Sequence, residues 1–534
     1  MASDNMGNEM STNVVNLDAL IPREDLAIND QSSPSGAVDK ISIPHLDGFI
    51  FAPDLRKPHF QRETNQWTPK KVVELVTAFL DRDLIPAVIL WRAGQYIFVI
   101  DGAHRLSALL AWVHNDYGDG TRSTPFCGGL VPDEQRKIAD KTRKMVDKAV
   151  GSYQDYKEAR TGIPKSPSIM TRLGKLADCN IIAQWVPTSD AKSAEDSFFK
   201  INQAATPIDA TEKRLLKSRD SASAIAARAI TNSGSGHKYW SSFGKVIQAQ
   251  IEELAKVINK DLYSPPITGT PINTLDVPIA GQGYNALPFI FDLVNEVNGV
   301  DVSDTTAKKE VKEVLPSDPD GKQTFAYLEK VTDKISLLTT DKPKSLGLHP
   351  VVYFYTRGGV FKAESFFAAL KFFSELDEKA LLKDFHKIRA PFEDYLVTHK
   401  EAVALLVHKF GTGQRSIPWI YSYYQLISDK FRSGLSESEV TKALAANNDF
   451  TFLTLPPPSS KPKTSGKKPA FSNNTKTAAY FANALNGGVR CHLCHARVHK
   501  NSMHIDHNVA MKDGGHAGLT NAEVAHPWCD SSKE

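Results

Sequence analysis

Past Thr68 and Pro69 the chain repeats apolar residues at helical spacing: Val72, Val73, Leu75, Val76, Phe79 and Leu80. That period predicts an amphipathic helix, with Thr68 as N-cap and Pro69 in the first turn, where a missing N–H is no loss. Beyond Pro86 the pattern changes to short apolar runs. Ala87–Trp91 and Tyr96–Ile100 read as strands either side of the turn Arg92–Gln95, and a second helix runs from about His104 to Val113. Charged, helix-patterned sequence covers Asp133–Ala159, and Asn180–Val186 returns to strand. Residues 41–215 are therefore expected to form an α/β domain. From 216 to 453 most segments carry helical spacing, Ala363–Leu376 and Ile417–Phe431 among them, and the aromatic run Val351–Tyr355 reads as core.

Two stretches lack such patterning. Residues 1–40 are expected to be a disordered tail. Its opening lacks a basic segment followed by an apolar one, so no secretory leader is expected and the protein should be cytoplasmic. Residues 454–477 hold several prolines, five lysines and no acidic residue. Such a composition buries no core and predicts an extended tether whose lysines can meet phosphates. Residues 478–534 are left as a last domain, giving a multidomain α+β chain, in keeping with a length of 534 residues. A net charge of +3 confines any nucleic-acid surface to a local patch. No apolar run reaches about 18 residues, so no membrane span is expected.

The cysteines change this picture. Cys127 and Cys179 stand apart, whereas Cys491, Cys494 and Cys529 crowd the last domain together with seven of the 16 histidines. An odd, clustered set in a cytosolic chain argues for metal binding over disulfides. Cys491-x-x-Cys494 and His526-x-x-Cys529 supply four N/S ligands, a set that suits tetrahedral Zn²⁺. Metal binding would let about 45 residues fold without a large apolar core. Between the two pairs lie His504-Ile505-Asp506-His507, Gly514-Gly515, which permits a tight turn, and a strand opening at Asn521; Pro527 starts a short helix carrying Asp530. His492, His495, His499 and His516 read as solvated or DNA-facing, and His504 as a minor participant.

The order C-x-x-C, D-H, G-G, N, H-x-x-C-D resembles the HNH (ββα-metal) endonuclease family. That resemblance implies His507 as the general base, Asn521 as the residue that holds the loop and orients it, and Asp506 and Asp530 as ligands of a catalytic ion. Phosphodiester hydrolysis needs an in-line water, a base that works near neutral pH and a cation on the scissile phosphate. The family commonly has Asn or His where Asp530 stands, and Cys where His526 stands. A second carboxylate favours a hard ion, Mg²⁺ or Mn²⁺.

Near the N-terminus, Asp101, Gly102, His104 and Arg105 sit between a strand and a helix. A helix start with cationic side chains reads equally as an anion site or as a strand-to-helix turn with a surface His-Arg pair. Asp-Gly-x-His-Arg after a strand resembles the ParB/sulfiredoxin-like superfamily. Gln61-Arg62 ahead of Trp67, and Phe198–Asn202 leading into Thr206-Pro207, are similar to a domain of type IV restriction and phosphorothioate-sensing defence proteins. The resemblance implies a nucleoside triphosphate held by Asp101, Gly102, His104 and Arg105, with Arg62 and Asn202. Ala103 stands where Gln is usual, so binding is expected more than hydrolysis. It also implies helical sequence leading to a C-terminal nuclease.

Together these readings predict a metal-dependent HNH DNA endonuclease with an N-terminal sensing or nucleotide-gated domain, in anti-phage defence or restriction of modified DNA. DNA is the expected partner, and homo-oligomerisation is left open. The alternative is a nucleotide-dependent DNA-binding regulator whose zinc finger only grips DNA.

Overall fold

A computed structural model describes residues 14–24, 38–58, 61, 64, 67–127, 129, 131–187, 194–195, 197, 214–215, 217–281, 287–300, 315–453 and 471–532. The fold is mixed α+β and divides into two compact units. The first comprises Met1–Glu252, Tyr284–Asp292 and Asp301–Thr324; the second comprises Glu253–Gly283, Leu293–Val300 and Phe325–Glu534. This division crosses the expected segments, because helical sequence from 217 to 252 goes with the N-terminal unit and the C-terminal module goes with the later helices.

The first unit is built on a six-stranded mixed sheet in the order β1-β3-β5-β4-β6-β2. The strands are β1 (Arg23–Glu24), β2 (Lys40–Ser42), β3 (Leu55–Pro58), β4 (Val88–Ala93), β5 (Tyr96–Asp101) and β6 (Asn180–Trp185). β5 pairs parallel with β3 and antiparallel with β4, placing Asp101 opposite Ile89 at the sheet's end. The sequence pattern is realised here. The helix Pro69–Asp81 is capped by Thr68, whose hydroxyl accepts from the Lys71 N–H, and it buries Val72, Val76, Phe79 and Leu80. The expected charged helix is two, Asp133–Val150 and Tyr153–Arg160, broken at Gly151, whose φ of 86° is left-handed.

Residues 14–24 correct the expectation of a tail over 1–40. Val15, Leu17, Leu20 and Ile21 are buried in the main core of this unit. The Val15 N–H donates to the Trp67 carbonyl and the Leu17 N–H to that of Thr64. Four apolar side chains within seven residues bury enough surface to offset the ordering of a short segment.

In the second unit the helices Ala363–Glu378, Leu382–Thr398 and Ile417–Arg432 pack together. Phe372 is their hub, stacked on Phe392 at 6.0 Å and edge-on to Phe385 and Tyr424. Val351–Tyr355 are buried, as expected of core. Of the expected tether, residues 454–470 lie outside the described residues. Residues 473–477 are the start of a helix, Asn473–Asn486, capped by Ser472. Thr477 is buried there, and its hydroxyl accepts from the Ile272 N–H at 2.9 Å. Among the described residues no helix is long and apolar enough to cross a membrane.

Candidate functional site

The strongest cluster of reactive side chains lies at the C-terminal end. Cys491, Cys494, His526 and Cys529 bring their ligand atoms within 4.8 Å of one another. His526 Nδ1 is 3.4 Å from Cys494 Sγ and 3.8 Å from Cys529 Sγ. A tetrahedral zinc with sulfur about 2.3 Å away sets ligand-to-ligand edges of about 3.8 Å, so the spacing fits. The protonation of His526 fits too. Its Nε2 donates to the Arg497 carbonyl at 3.0 Å, which leaves the Nδ1 lone pair facing the sulfurs. The four residues can hold a zinc ion. Among the described residues, the apolar cluster around them is small: Cys491, Ala525 and Cys529, with Cys494, Val498 and Trp528 against it.

This quartet frames a two-stranded antiparallel ribbon, β7 (His504–His507) and β8 (Ala522–Ala525), followed by the helix Pro527–Ser531. Side chains alternate along β7. Asp506 is buried and His504 half-buried, while Ile505 and His507 are exposed. Asn521 is buried and ties the loop between the strands. Its Oδ1 accepts from the Val509 N–H at 2.7 Å, and its Nδ2 donates to the carbonyls of Val509 and His516, each at 2.9 Å. Gly515 is required there: a Cβ would fall 1.9 Å from the Val509 carbonyl oxygen.

Two histidines, His492, read from the sequence as solvated or DNA-facing, and His504, read as a minor participant, contact the two carboxylates. His492 Nε2 is 2.7 Å from Asp506 Oδ2, and His504 Nδ1 is 3.0 Å from Asp530 Oδ2. His504 Nε2 lies 2.9 Å from the Asp341 carbonyl. Burial acts to lower the His504 pKa, but the bonds to Asp341 and Asp530 outweigh it and raise the value above the ordinary 6.5. Both neighbours are oxygen acceptors, and this arrangement favours the protonated ring. His492 is thus not a solvated histidine, and neither is His499, which is 1% exposed. Burial pushes the His499 pKa down to about 4. His495 and His516 are exposed, as expected. A pairing such as His492–Asp506 depends on a register between knuckle and strand that spacing does not reveal. The i, i+2 relation of His504 and Asp506 was the available signal, since it places both on one strand face.

The module rests on the helices of its own unit. Arg389, fully buried, pairs with Glu393 at 2.8 Å and donates to the carbonyls of Leu346 and Gly347. Glu393 in turn accepts from the Arg497 N–H, next to the zinc knuckle, at 3.1 Å. Gly347, at φ 62°, lies under the quartet: a Cβ there would sit 2.6 Å from the His526 ring.

In the N-terminal unit, Gly102 joins β5 to the helix Ala103–His114 at φ 97°, and a Cβ would meet Val88 at 2.5 Å. Arg105 donates to Asp101 Oδ2 at 2.7 Å and to the Ala87 carbonyl at 3.1 Å, so its guanidinium is engaged within the motif. His104 stacks on Trp67 with centroids 5.6 Å apart. Residues 46–219 match the GmrSD restriction endonuclease, N-terminal domain. No curated protein and no solved structure matches the chain. The match covers about a third of the sequence and supports a type IV restriction-like protein, a nuclease with DNA as its partner.

Within the matched residues, Asp101, Gly102, His104 and Arg105 come together, whereas Arg62 and Asn202 lie outside the described residues. Sequence reasoning missed a buried ionic cluster beside it. Asp18 accepts from Arg23 at 3.1 Å, from Lys57 at 2.5 Å and from the Thr64 N–H at 2.9 Å. Burial alone would raise its pKa, but Arg23 and Lys57 hold the carboxyl well below the usual carboxylate range. Lys57 is completely buried, and the cluster ties β3 and Thr64 to the segment 14–24. A charged residue in the short β3 run was the only hint.

Proposed function

We propose that the chain is an HNH-type, metal-dependent DNA endonuclease that restricts modified DNA in defence, its catalytic module framed by a structural zinc. The observation that supports this most is the Cys491–Cys494–His526–Cys529 quartet bracketing a ribbon with Asp506-His507 on one strand and Asp530 on the helix that follows. In this reading His507, exposed at the ribbon's end, takes a proton from the attacking water. Asn521 holds the loop beside it. A divalent ion held by Asp506 and Asp530, Mg²⁺ or Mn²⁺, would stabilise charge developing on the phosphate. The test is plasmid cleavage with Mg²⁺ or Mn²⁺, on modified and unmodified DNA, with each nucleoside triphosphate in turn. The wild type should cut; Asp530→Asn should retain activity with altered metal preference; Asp530→Ala should be much weaker. Equal rates for all three would remove Asp530 from the mechanism.

The N-terminal domain is proposed to sense or gate, with a nucleoside triphosphate at the start of the helix Ala103–His114. The first turn leaves N–H groups without intrahelical partners, which favours phosphate. Because Arg105 is engaged with Asp101, the phosphate has to compete for it. Calorimetry should show nucleotide binding to the wild type and weaker binding to Arg105→Ala with an unchanged circular dichroism spectrum. No heat with any nucleoside triphosphate would leave the motif as a strand-to-helix joint.

One observation favours a second reading, a regulator whose zinc module only grips DNA: both carboxylates are hydrogen-bonded to histidines. That reading predicts metal-independent DNA binding and no cleavage under any condition.

A further inference from the structure

The helix that carries Asp530 is five residues long, too short to be held by its own hydrogen bonds. Its support comes from elsewhere in the same unit. The Trp528 N–H donates to the Ser345 carbonyl at 3.0 Å, and the Ser531 hydroxyl donates to that of Pro343 at 2.7 Å. The Trp528 indole stacks on His386, a residue of the helix Leu382–Thr398, with centroids 3.8 Å apart and planes inclined by 18°. His504 completes the set. One ring nitrogen lies 2.9 Å from the Asp341 carbonyl, and the other 3.0 Å from Asp530 Oδ2. The loop is itself anchored to the module, because the Ser502 hydroxyl donates to the Thr340 carbonyl at 2.6 Å and lies 3.1 Å from the Ser345 hydroxyl.

We infer that the segment 340–347 of the helical region is a working part of the nuclease centre, and that His504 is the positioning residue through which it orients the Asp530 carboxylate. The inference rests on the reading of Asp506 and Asp530 as the cation-holding pair. His504 fixes one carboxylate oxygen and leaves the other available to a cation. The second ring nitrogen, pinned to Asp341, sets the rotation of the imidazole, as outer partners do around metal sites. Trp528 and His386 fix the helix from its opposite side. The divalent-ion site is thereby built from two regions of the chain that sequence reading had separated by a tether.

The experiment uses the full chain, loaded with zinc, and reads Mn²⁺ affinity by electron paramagnetic resonance alongside cleavage rate. His504→Gln places its amide nitrogen near the former Nε2, keeping the Asp341 bond and losing that to Asp530. His504→Asn places its amide near Nδ1 and keeps the bond to Asp530. His504→Gln and His386→Ala should each weaken Mn²⁺ binding or slow cleavage by about 10–100-fold, with zinc content unchanged, and His504→Asn should recover much of the loss. Wild-type affinity and rate in both His504→Gln and His386→Ala would overturn the inference alone. Loss of zinc in every His504 variant would also overturn it, reducing His504 to a structural residue. A wild type with no Mn²⁺ site would overturn the nuclease reading and this inference together.

Discussion

His507→Ala should cut DNA about 10²–10⁴-fold more slowly than the wild type, the usual cost of losing a positioned base, while keeping its zinc and its fold. The two effects separate because of where His507 sits. Its side chain is exposed on the outer face of β7, opposite Asp506, and it belongs to neither the zinc quartet nor the buried apolar cluster. Because the side chain is exposed, removing it opens no core cavity, so stability should move by about ±0.5 kcal/mol, as is typical of surface sites. The measurement is single-turnover plasmid cleavage at saturating Mn²⁺, with metal analysis and thermal melting on the same preparation. Cleavage by His507→Ala at the wild-type rate would leave this end of the chain as a zinc-stabilised DNA grip and place any nuclease activity elsewhere.

Removing the zinc should unfold the module. Structural zinc in small finger peptides contributes about 10–16 kcal/mol of apparent binding free energy at neutral pH. The apolar cluster here, Cys491, Ala525 and Cys529 with a few partly buried neighbours, is too small to replace that. Cys491→Ser or Cys529→Ser, or exhaustive chelation, should abolish ordered amide signals from β7 and β8. Signals of the helices Ala363–Glu378 and Ile417–Arg432, held by their own aromatic core, should persist. Freshly purified protein should contain about one zinc per chain, with sulfur at about 2.3 Å by X-ray absorption. Metal-free protein with an intact ribbon would sink the proposal of a structural ion. Because Arg497 bridges the knuckle to Asp394 at 2.6 Å and to the Leu485 carbonyl at 2.9 Å, some contacts of the module should survive zinc loss locally.

What the sequence revealed and what it hid divide along physical lines. Thr68-Pro69 and the residues from Val72 to Leu80 are a local period with a local cap, and the helix Pro69–Asp81 follows. The ligand pairs Cys491/Cys494 and His526/Cys529 were legible because metal ligation restricts both residue type and spacing, and the structure brings them together. Gly102 was legible as a joint, although that Arg105 would spend its donors on Asp101 and Ala87 was not. The segment 14–24 carried the signal of Val15, Leu17, Leu20 and Ile21, but a polar start outweighed it. Asp18 with Lys57 and Thr64, His492 with Asp506, and His504 with Asp341 are pairings between separate stretches. No period or spacing encodes them, because each depends on tertiary register. The helix Asn473–Asn486 was hidden by the lysine- and proline-rich composition just ahead of it.

Gly347 bears on how such a protein can be rearranged over evolutionary time. A small module with its own set of metal-binding side chains looks exchangeable, ready to be moved from one host protein to another. Here the ring of His526, one of the four side chains that can hold a zinc ion, rests against Gly347 of the neighbouring region so closely that no side chain fits between them. Ser502 and Trp528 carry further polar and ring contacts to the same neighbourhood. A recombination that moved only the last domain would strand these groups against a surface that was never shaped for them. The heritable cassette is therefore larger than the motif. It begins no later than the residue preceding Asp341 and runs through Asp530, so successful exchanges should carry the helices along with the metal ligands.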